Sequence, residues 1–251
     1  MSAFYDPEES EFYGLCVEDL FRRHPKLHKV YEFGVGSGEA VCGALRRGGF
    51  LGQVHGFEID ARSADIARDV VRGSGLAHRY HVTHADFFTV SLPDSERTCV
   101  IANPPYLPLL DGQPRYPHLS GGVRGTTVSE RILSAGFDTV MMMISSYADP
   151  RSLLHHAMRC GYTLTSWMVR PIRMGRFSRR PAVHRRIRGM SRAGAAFVAG
   201  DTYLLAGGIW RRSADYSYDE TGHLDLVMTR FGASGPDEFA PGPPLTDRMD
   251  A

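Results

Sequence analysis

Lysine is almost missing from this chain: only Lys26 and Lys29 occur, so nearly all positive charge is arginine. Such a bias reads as a GC-rich coding background and lowers the weight of any one arginine cluster as a binding signal. Cysteine is also scarce. Cys16, Cys42, Cys99 and Cys160 stand apart, with no C-x-x-C pair and no histidine at zinc spacing. That argues against a disulfide scaffold and a structural metal, and for a reduced, cytoplasmic protein. The opening "MSAFYDPEESEFYG" has no basic start and no apolar core, so no secretory signal is expected. The longest apolar run, "TVMMMI", is far too short to span a bilayer. A formal net charge of +1 excludes a molecule that is globally a polyanion trap or an acidic chaperone.

What is present is one core's worth of material. With 251 residues, 43% of them hydrophobic, the chain can bury a sizeable core in one domain or at most two small ones. Strand and helix patterns alternate from about residue 8. An amphipathic stretch from Glu8 to His24 carries Leu15, Val17, Leu20 and Phe21 on one side. "KVYEFGVGSG" then breaks into glycines and leads to a helix over Glu39–Arg47. "QVHGFEID", a helix over 61–72, "YHVTHAD" and "TCVIA" follow. A Gly/Pro-rich loop from Leu107 to Gly125 precedes a helix over Thr127–Ala135, the strand "TVMMMISS" and a helix over Asp149–Cys160. Strands separated by helical lengths predict a parallel, doubly wound α/β sheet. Two further strand-like runs, "YTLTSWMVRPI" and "DTYLLAGGIW", are separated by an arginine-rich stretch rather than a clean helix. The last forty or so residues read as a loosely held tail, in which "HLDLVMTRF" could form a small strand or an interaction segment.

Four places carry chemistry. "EFGVGSG" sets Gly34, Gly36 and Gly38 between a strand and a helix, where glycine permits a sharp turn and a close ligand approach. The spacing is G-x-G-x-G, which disfavours the dinucleotide fingerprint and a nicotinamide-dependent oxidoreductase. Glu32, just before the loop, suits a ligand ammonium better than a pyrophosphate. Glu58 ends the second strand, where a carboxylate can accept from both hydroxyls of a ribose; Asp60 is the better helix cap there. Asp86 ends the third strand and can accept from an adenine amine, while Phe87 or Phe88 packs on the base and the other joins the core. Finally, "VIANPPYLPLL" closes an apolar strand with two prolines that cannot donate to a ladder and that keep Asn103 extended. That turn presents an amide, carbonyls and the Tyr106 ring at a strand end.

Glu32 with its glycine loop, Glu58, Asp86 and Asn103-Pro104-Pro105-Tyr106 stand in the order seen in class I S-adenosylmethionine-dependent methyltransferases. The chain resembles their HemK-like, N-methylating branch over about residues 4 to 160. "FYDPEESEF" is similar to the branch's Tyr-x-Pro-x-Glu-Asp opening, with Ser10 where Asp is usual. "GGVRGTTVSERIL" resembles the Gly-Gly-x-x-Gly segment that follows its Asn-Pro-Pro-Tyr. The resemblance implies a Rossmann-like class I methyltransferase fold with a mostly parallel seven-stranded sheet whose last strand is antiparallel. It implies S-adenosylmethionine as cofactor, S-adenosylhomocysteine as product, and no metal. Tyr5, Pro7, Glu32, Gly34, Gly36, Gly38, Glu58, Ile59, Asp86, Phe87 and Asn103 would then contact the cofactor. Asn103, Pro104 and Tyr106 would be catalytic, with Pro105, Tyr106 and Arg124 on the acceptor.

In that chemistry the Asn103 oxygen and the Pro104 carbonyl accept the N–H groups of a planar amine or amide, bonds that strengthen as the nitrogen turns positive. Tyr106 stacks on the acceptor. Residues 1–25 are expected to form an N-terminal cap, 26–212 the methyltransferase domain with an arginine-rich insert at 170–194, and 213–251 the tail. Arg115, Tyr116 and His118 are further candidate acceptor contacts, and His155 and His156 are expected on a helix surface. The absence of an added recognition domain favours a small metabolite as acceptor. A protein glutamine, a nucleic-acid exocyclic amine such as adenine N6 or guanine N2, and a non-catalytic cofactor- or RNA-binding module are the alternatives.

Overall fold

The structure is a computed structural model and describes residues 6–92, 98–108, 119–212 and 218–232. Tyr5, Arg115, Tyr116 and His118 lie outside the described residues. The chain opens with α1 (Pro7–Arg23), started by Asp6, whose carboxylate accepts from the Glu8 and Glu9 amides, and by Pro7, whose missing N–H costs nothing in the first turn. Then follow β1 (Lys29–Phe33), α2 (Glu39–Arg47), β2 (Gln53–Glu58), α3 (Ala61–Gly73), β3 (Tyr80–His84), a 3₁₀ turn at Phe87–Thr89 and β4 (Cys99–Ala102). The second half holds α4 (Thr127–Ser134), β5 (Thr139–Ser145), α5 (Pro150–Arg159), β6 (Tyr162–Arg173), α6 (Pro181–Arg192), β7 (Val198–Ala199), β8 (Thr202–Arg212) and α7 (Thr221–Arg230).

The strands form one sheet in the order β3-β2-β1-β4-β5-β8-β6. β1, β2, β3, β4 and β5 pair in parallel, while β8 runs antiparallel between β5 and β6. The expected seven-stranded sheet with one reversed strand is therefore present, with the two-residue β7 added as a hairpin partner of β8. β4 and β5 are buried along their whole length, as parallel strands covered on both faces must be. On one face α1, α2, α3 and α6 bury Val17, Val41, Ala67 and Ile187; on the other, α4, α5 and α7 bury Ile132, Leu153 and Leu224. Burying one of the valine, leucine or isoleucine side chains fully contributes roughly 1.5–3 kcal/mol. α1 lies so close that a Cβ at Gly207 of β8 would sit 2.3 Å from Cys16 Sγ.

Two sequence expectations change here. The arginine-rich stretch does contain a helix, α6, because Val183, Ile187 and Met190 recur at helical spacing and are buried between the arginines. "HLDLVMTRF" is neither strand nor free segment: it belongs to α7, with Leu224 and Met228 fully buried. No helix among the described residues is long and apolar enough to cross a membrane.

Candidate active site

The strand order reverses between β1 and β4, and ligands of open α/β sheets bind in the crevice beyond the carboxyl ends at such a point. The candidate residues converge on that edge. After β1, Gly34, Gly36 and Gly38 all have positive φ, at 68°, 60° and 76°, so the loop's path needs glycine. A Cβ on Gly34 or Gly36 would meet nothing within 4 Å, so this loop faces open space. Gly38 caps α2 without a side chain; the Glu39 amide turns to Ser37 Oγ at 3.4 Å, and the N–H groups after it can meet a ligand anion.

Glu58 is buried at the end of β2. Its two oxygens accept from the Gly36 amide at 2.9 Å and the Asp60 amide at 3.0 Å. A carboxylate has about four acceptor sites, so capacity for two hydroxyls remains. Ile59 beside it is 54% exposed, unusual for a large aliphatic residue at a strand end. Glu32 lies lower: it is buried, and both of its oxygens are taken by the Tyr13 and Tyr80 hydroxyls. Burial raises its pKa to about 8, against the two hydroxyl bonds that lower it. Buried beneath the loop with both oxygens held by tyrosine hydroxyls, Glu32 does not offer the exposed charge to a ligand ammonium that the sequence suggested.

Asp86 caps the 3₁₀ turn through the Phe88 amide at 2.9 Å. Phe87 is buried among Phe33, Phe57 and Phe137, so it is a core residue rather than a base-stacking one. Phe88 is half-buried, with the Arg131 guanidinium 3.8 Å from its ring centre. Pro7 sits exposed in the first turn of α1.

The Asn-Pro-Pro-Tyr turn leaves β4 beside the glycine loop. Asn103 Oδ1 is buried with no hydrogen-bond partner, an arrangement that costs about 1–3 kcal/mol until a donor arrives. Pro104 is buried and Pro105 half-buried. The Gly-Gly-x-x-Gly segment explains itself here. A Cβ at Gly121 would stand 2.6 Å from the Pro105 carbonyl oxygen, and one at Gly125 2.5 Å from that of Tyr106. Only glycine lets this backbone clamp the turn.

Tyr106 is placed differently from the expectation. It is 7% exposed, its hydroxyl donates to Glu9, and its ring meets Tyr147 edge-on at 5.8 Å. Tyr203 donates to the other Glu9 oxygen and lies 4.8 Å from Tyr147. Burial lifts the Glu9 pKa to about 7, only partly opposed by those two bonds. The ring is thus an anchor tying the turn to α1, because its hydroxyl finds a buried acceptor there rather than an open cleft. Sequence reasoning missed Glu9, Tyr147 and Tyr203. The available signal was Glu9 itself, which occupies the same helical face as Phe12, Tyr13 and Cys16.

Arg124 also departs from its assigned place on the acceptor. Its guanidinium pairs with Asp149 at 2.8 Å and reaches Ser152 at 3.3 Å, fastening the glycine segment to the start of α5. His156 lies on α5 as expected and approaches Ser134 at 2.9 Å.

No protein-family model matches the chain, and no curated protein matches it. Solved structures do. A Pyrococcus horikoshii protein provisionally named an RNA methyltransferase aligns with a TM-score of 0.55 at 15% identity, over 86% of this chain and 92% of its own. The METTL16 methyltransferase domain aligns with a TM-score of 0.52 at 16% identity, over 82% and 83%. The StiE O-MT unit aligns with a TM-score of 0.50 at 14% identity, over 89% and 83%. The chain has the Rossmann-like fold of the class I methyltransferases.

Proposed function

We propose that this chain is an S-adenosylmethionine-dependent methyltransferase of HemK-like type, acting on a planar amino or amide nitrogen. The observation that carries the reading is the unpartnered Asn103 oxygen, set at the end of β4 beside a glycine loop that faces open space. The residues fit the cofactor. Glu58 would accept the ribose hydroxyls, exposed Ile59 would cover one face of the adenine, and Asp86 would take its amine. The Gly34–Gly38 loop and the uncapped start of α2 would hold the amino-acid end. We read residues 26–212 as the catalytic domain and α1 as a cap on it.

When bound, S-adenosylmethionine supplies an electrophilic methyl group. The chain's own task is to orient a nitrogen whose lone pair is delocalised. Asn103 Oδ1 and the Pro104 carbonyl accept its N–H groups and stabilise the charge that develops on it. Asn103 Oδ1 is covered and unpartnered, so this reading requires the carboxamide to turn toward the acceptor as it binds. The prolines and the Gly121–Gly125 clamp keep that pair from retreating, and Tyr106 fixes the turn from behind through Glu9. No base is required before attack, because the proton can leave the nitrogen afterwards.

The neighbours' names do not agree on an acceptor, since one says RNA and another O-MT. The test is calorimetry with S-adenosylhomocysteine, followed by transfer from methyl-labelled donor to RNA, glutamine peptides and metabolites. Binding of S-adenosylhomocysteine and recovery of an N-methyl product are expected. Binding of NAD in its place overturns the reading.

A further inference from the structure

From Pro150 to Gly200 the chain has eleven arginines and not one aspartate or glutamate. Because the whole chain is formally +1, the remaining residues carry a net negative charge. An arginine-rich composition alone does not produce that asymmetry; the acids have been kept out of one continuous segment. The fold then decides where the segment goes. β6 is antiparallel to β8, which is antiparallel to β5, so β6 ends at the same sheet edge as β1, β2 and β4. Its last residue, Arg173, therefore emerges on the side of Glu58 and Asn103, and α6 follows.

One hydrogen bond ties α6 to that edge, and the chain just ahead of it passes close to α1. Arg186 donates to the Val123 carbonyl at 3.0 Å, inside the glycine segment that clamps the acceptor turn. A Cβ on Gly175, just ahead of α6, would lie 3.2 Å from an Asp6 oxygen at the start of α1. α6 buries Val183, Ile187 and Met190 and turns Arg185, Arg188 and Arg192 outward on one stripe. Arg173, Arg176 and Arg179 are also exposed. None of these six pairs with a carboxylate among the described residues. Arg188 and Arg192 of this set line an open groove of about 520 Å³, together with His184, Ser191, Val198 and Gly200. Like charges three and four residues apart on a helix repel, so this stripe is retained at a small cost in stability. A polyanion removes that cost, and guanidinium forks match phosphate oxygens.

We propose that the arginine face of α6 and its groove bind the phosphate backbone of an unpaired RNA segment, and that the methyl acceptor is the exocyclic amine of a base in it. This rests on the methyltransferase reading above and names its substrate class, in place of the small metabolite that the sequence favoured. A lipid surface fits less well, because the apolar side of α6 is already spent in the protein core and has nothing to insert. An unpaired strand fits better than a duplex, since the amine must leave the base stack to reach Asn103.

The test is fluorescence anisotropy of the full chain with an unstructured, labelled 20-nucleotide RNA across a salt series, without cofactor. The parent is expected to bind. The variant R185Q/R188Q/R192Q should bind about tenfold more weakly or worse, with the slope of log K against log salt shallower by about 2, as for three lost phosphate contacts. The lysine version at the same positions should keep the parent's slope. S-adenosylhomocysteine affinity should be equal in all three, which shows that the fold and cofactor site are intact. Unchanged RNA affinity and slope in the glutamine variant overturn the proposal. So does tighter parental binding to duplex DNA or to phosphatidylserine vesicles, or methyl label recovered in metabolites and never in RNA. RNA binding without any S-adenosylhomocysteine binding would instead sink the methyltransferase reading and leave the docking surface standing.

Discussion

Replacing Glu9 by glutamine probes the buried carboxyl that anchors the acceptor turn. Glu9 is 6% exposed and accepts from Tyr106 and Tyr203, and burial raises its pKa from the ordinary 4.5 to about 7. Between those two values the folded protein keeps a proton that the unfolded chain has released. The stability this group contributes is therefore complete below pH 4.5 and is lost as pH rises through about 7. The displacement corresponds to roughly 3 kcal/mol across that window. Glutamine cannot ionise. It keeps an oxygen for one tyrosine but turns an NH₂ toward the other, which must then accept, at a cost of about 1 kcal/mol. The stability difference, parent minus variant, should thus be small and positive at pH 4.5. It should change sign below neutrality and fall by roughly 3 kcal/mol in all by pH 8. Glu32, raised to about 8, pulls in the same direction in both proteins and cancels in the difference. Urea unfolding followed by circular dichroism at half-unit pH steps measures it. Parallel curves for the two proteins would refute a buried, proton-holding Glu9.

Asn103→Ala should lower kcat/KM by an amount equivalent to about 2–4 kcal/mol, by analogy with loss of one preorganised hydrogen-bonding group. S-adenosylhomocysteine affinity should hold, and the melting temperature should stay or rise, because an orphaned buried oxygen is removed; parental activity in the variant would dismiss Asn103 from the reaction. Glu58→Ala should weaken S-adenosylhomocysteine about tenfold or more in calorimetry, since the ribose loses its acceptor and the Gly36 and Asp60 amides lose theirs. Gly207→Ala should destabilise by about 1–3 kcal/mol in urea, and Cys16→Ala in the same chain should restore part of that, because the new methyl meets Cys16 Sγ. Additive effects of the two substitutions would count against α1 packing directly on β8.

The sheet was readable because its signals are local. β4 and β5 are short apolar runs that need cover on both faces, and the glycine, proline and helix-cap residues between the other strands mark where each one stops. The glycine loop, Glu58, Asp86 and Asn103 were readable for the same reason, as they sit where strands stop. α6 was obscured by its arginines, which swamp the three apolar residues that make it a helix. α7 was obscured by its lack of a strong apolar stripe, with Leu224 and Met228 enclosed by α5 and β6 rather than marked by flanking residues.

By itself the sequence determined the alternation of elements, the backbone chemistry of each turn and the identity of the groups at the strand ends. Only the tertiary structure decided which way Tyr106 points, that Glu32 and Glu9 are buried with raised pKa values, that Arg124 ties down a helix, and that the arginines face the same edge as Asn103. The physical reason is distance along the chain. Glu9 meets Tyr203 across 194 residues, and neither position carries a local pattern that names the other. Their pairing follows from the antiparallel return of β8 under α1, a property of the packed sheet that no short window of residues contains.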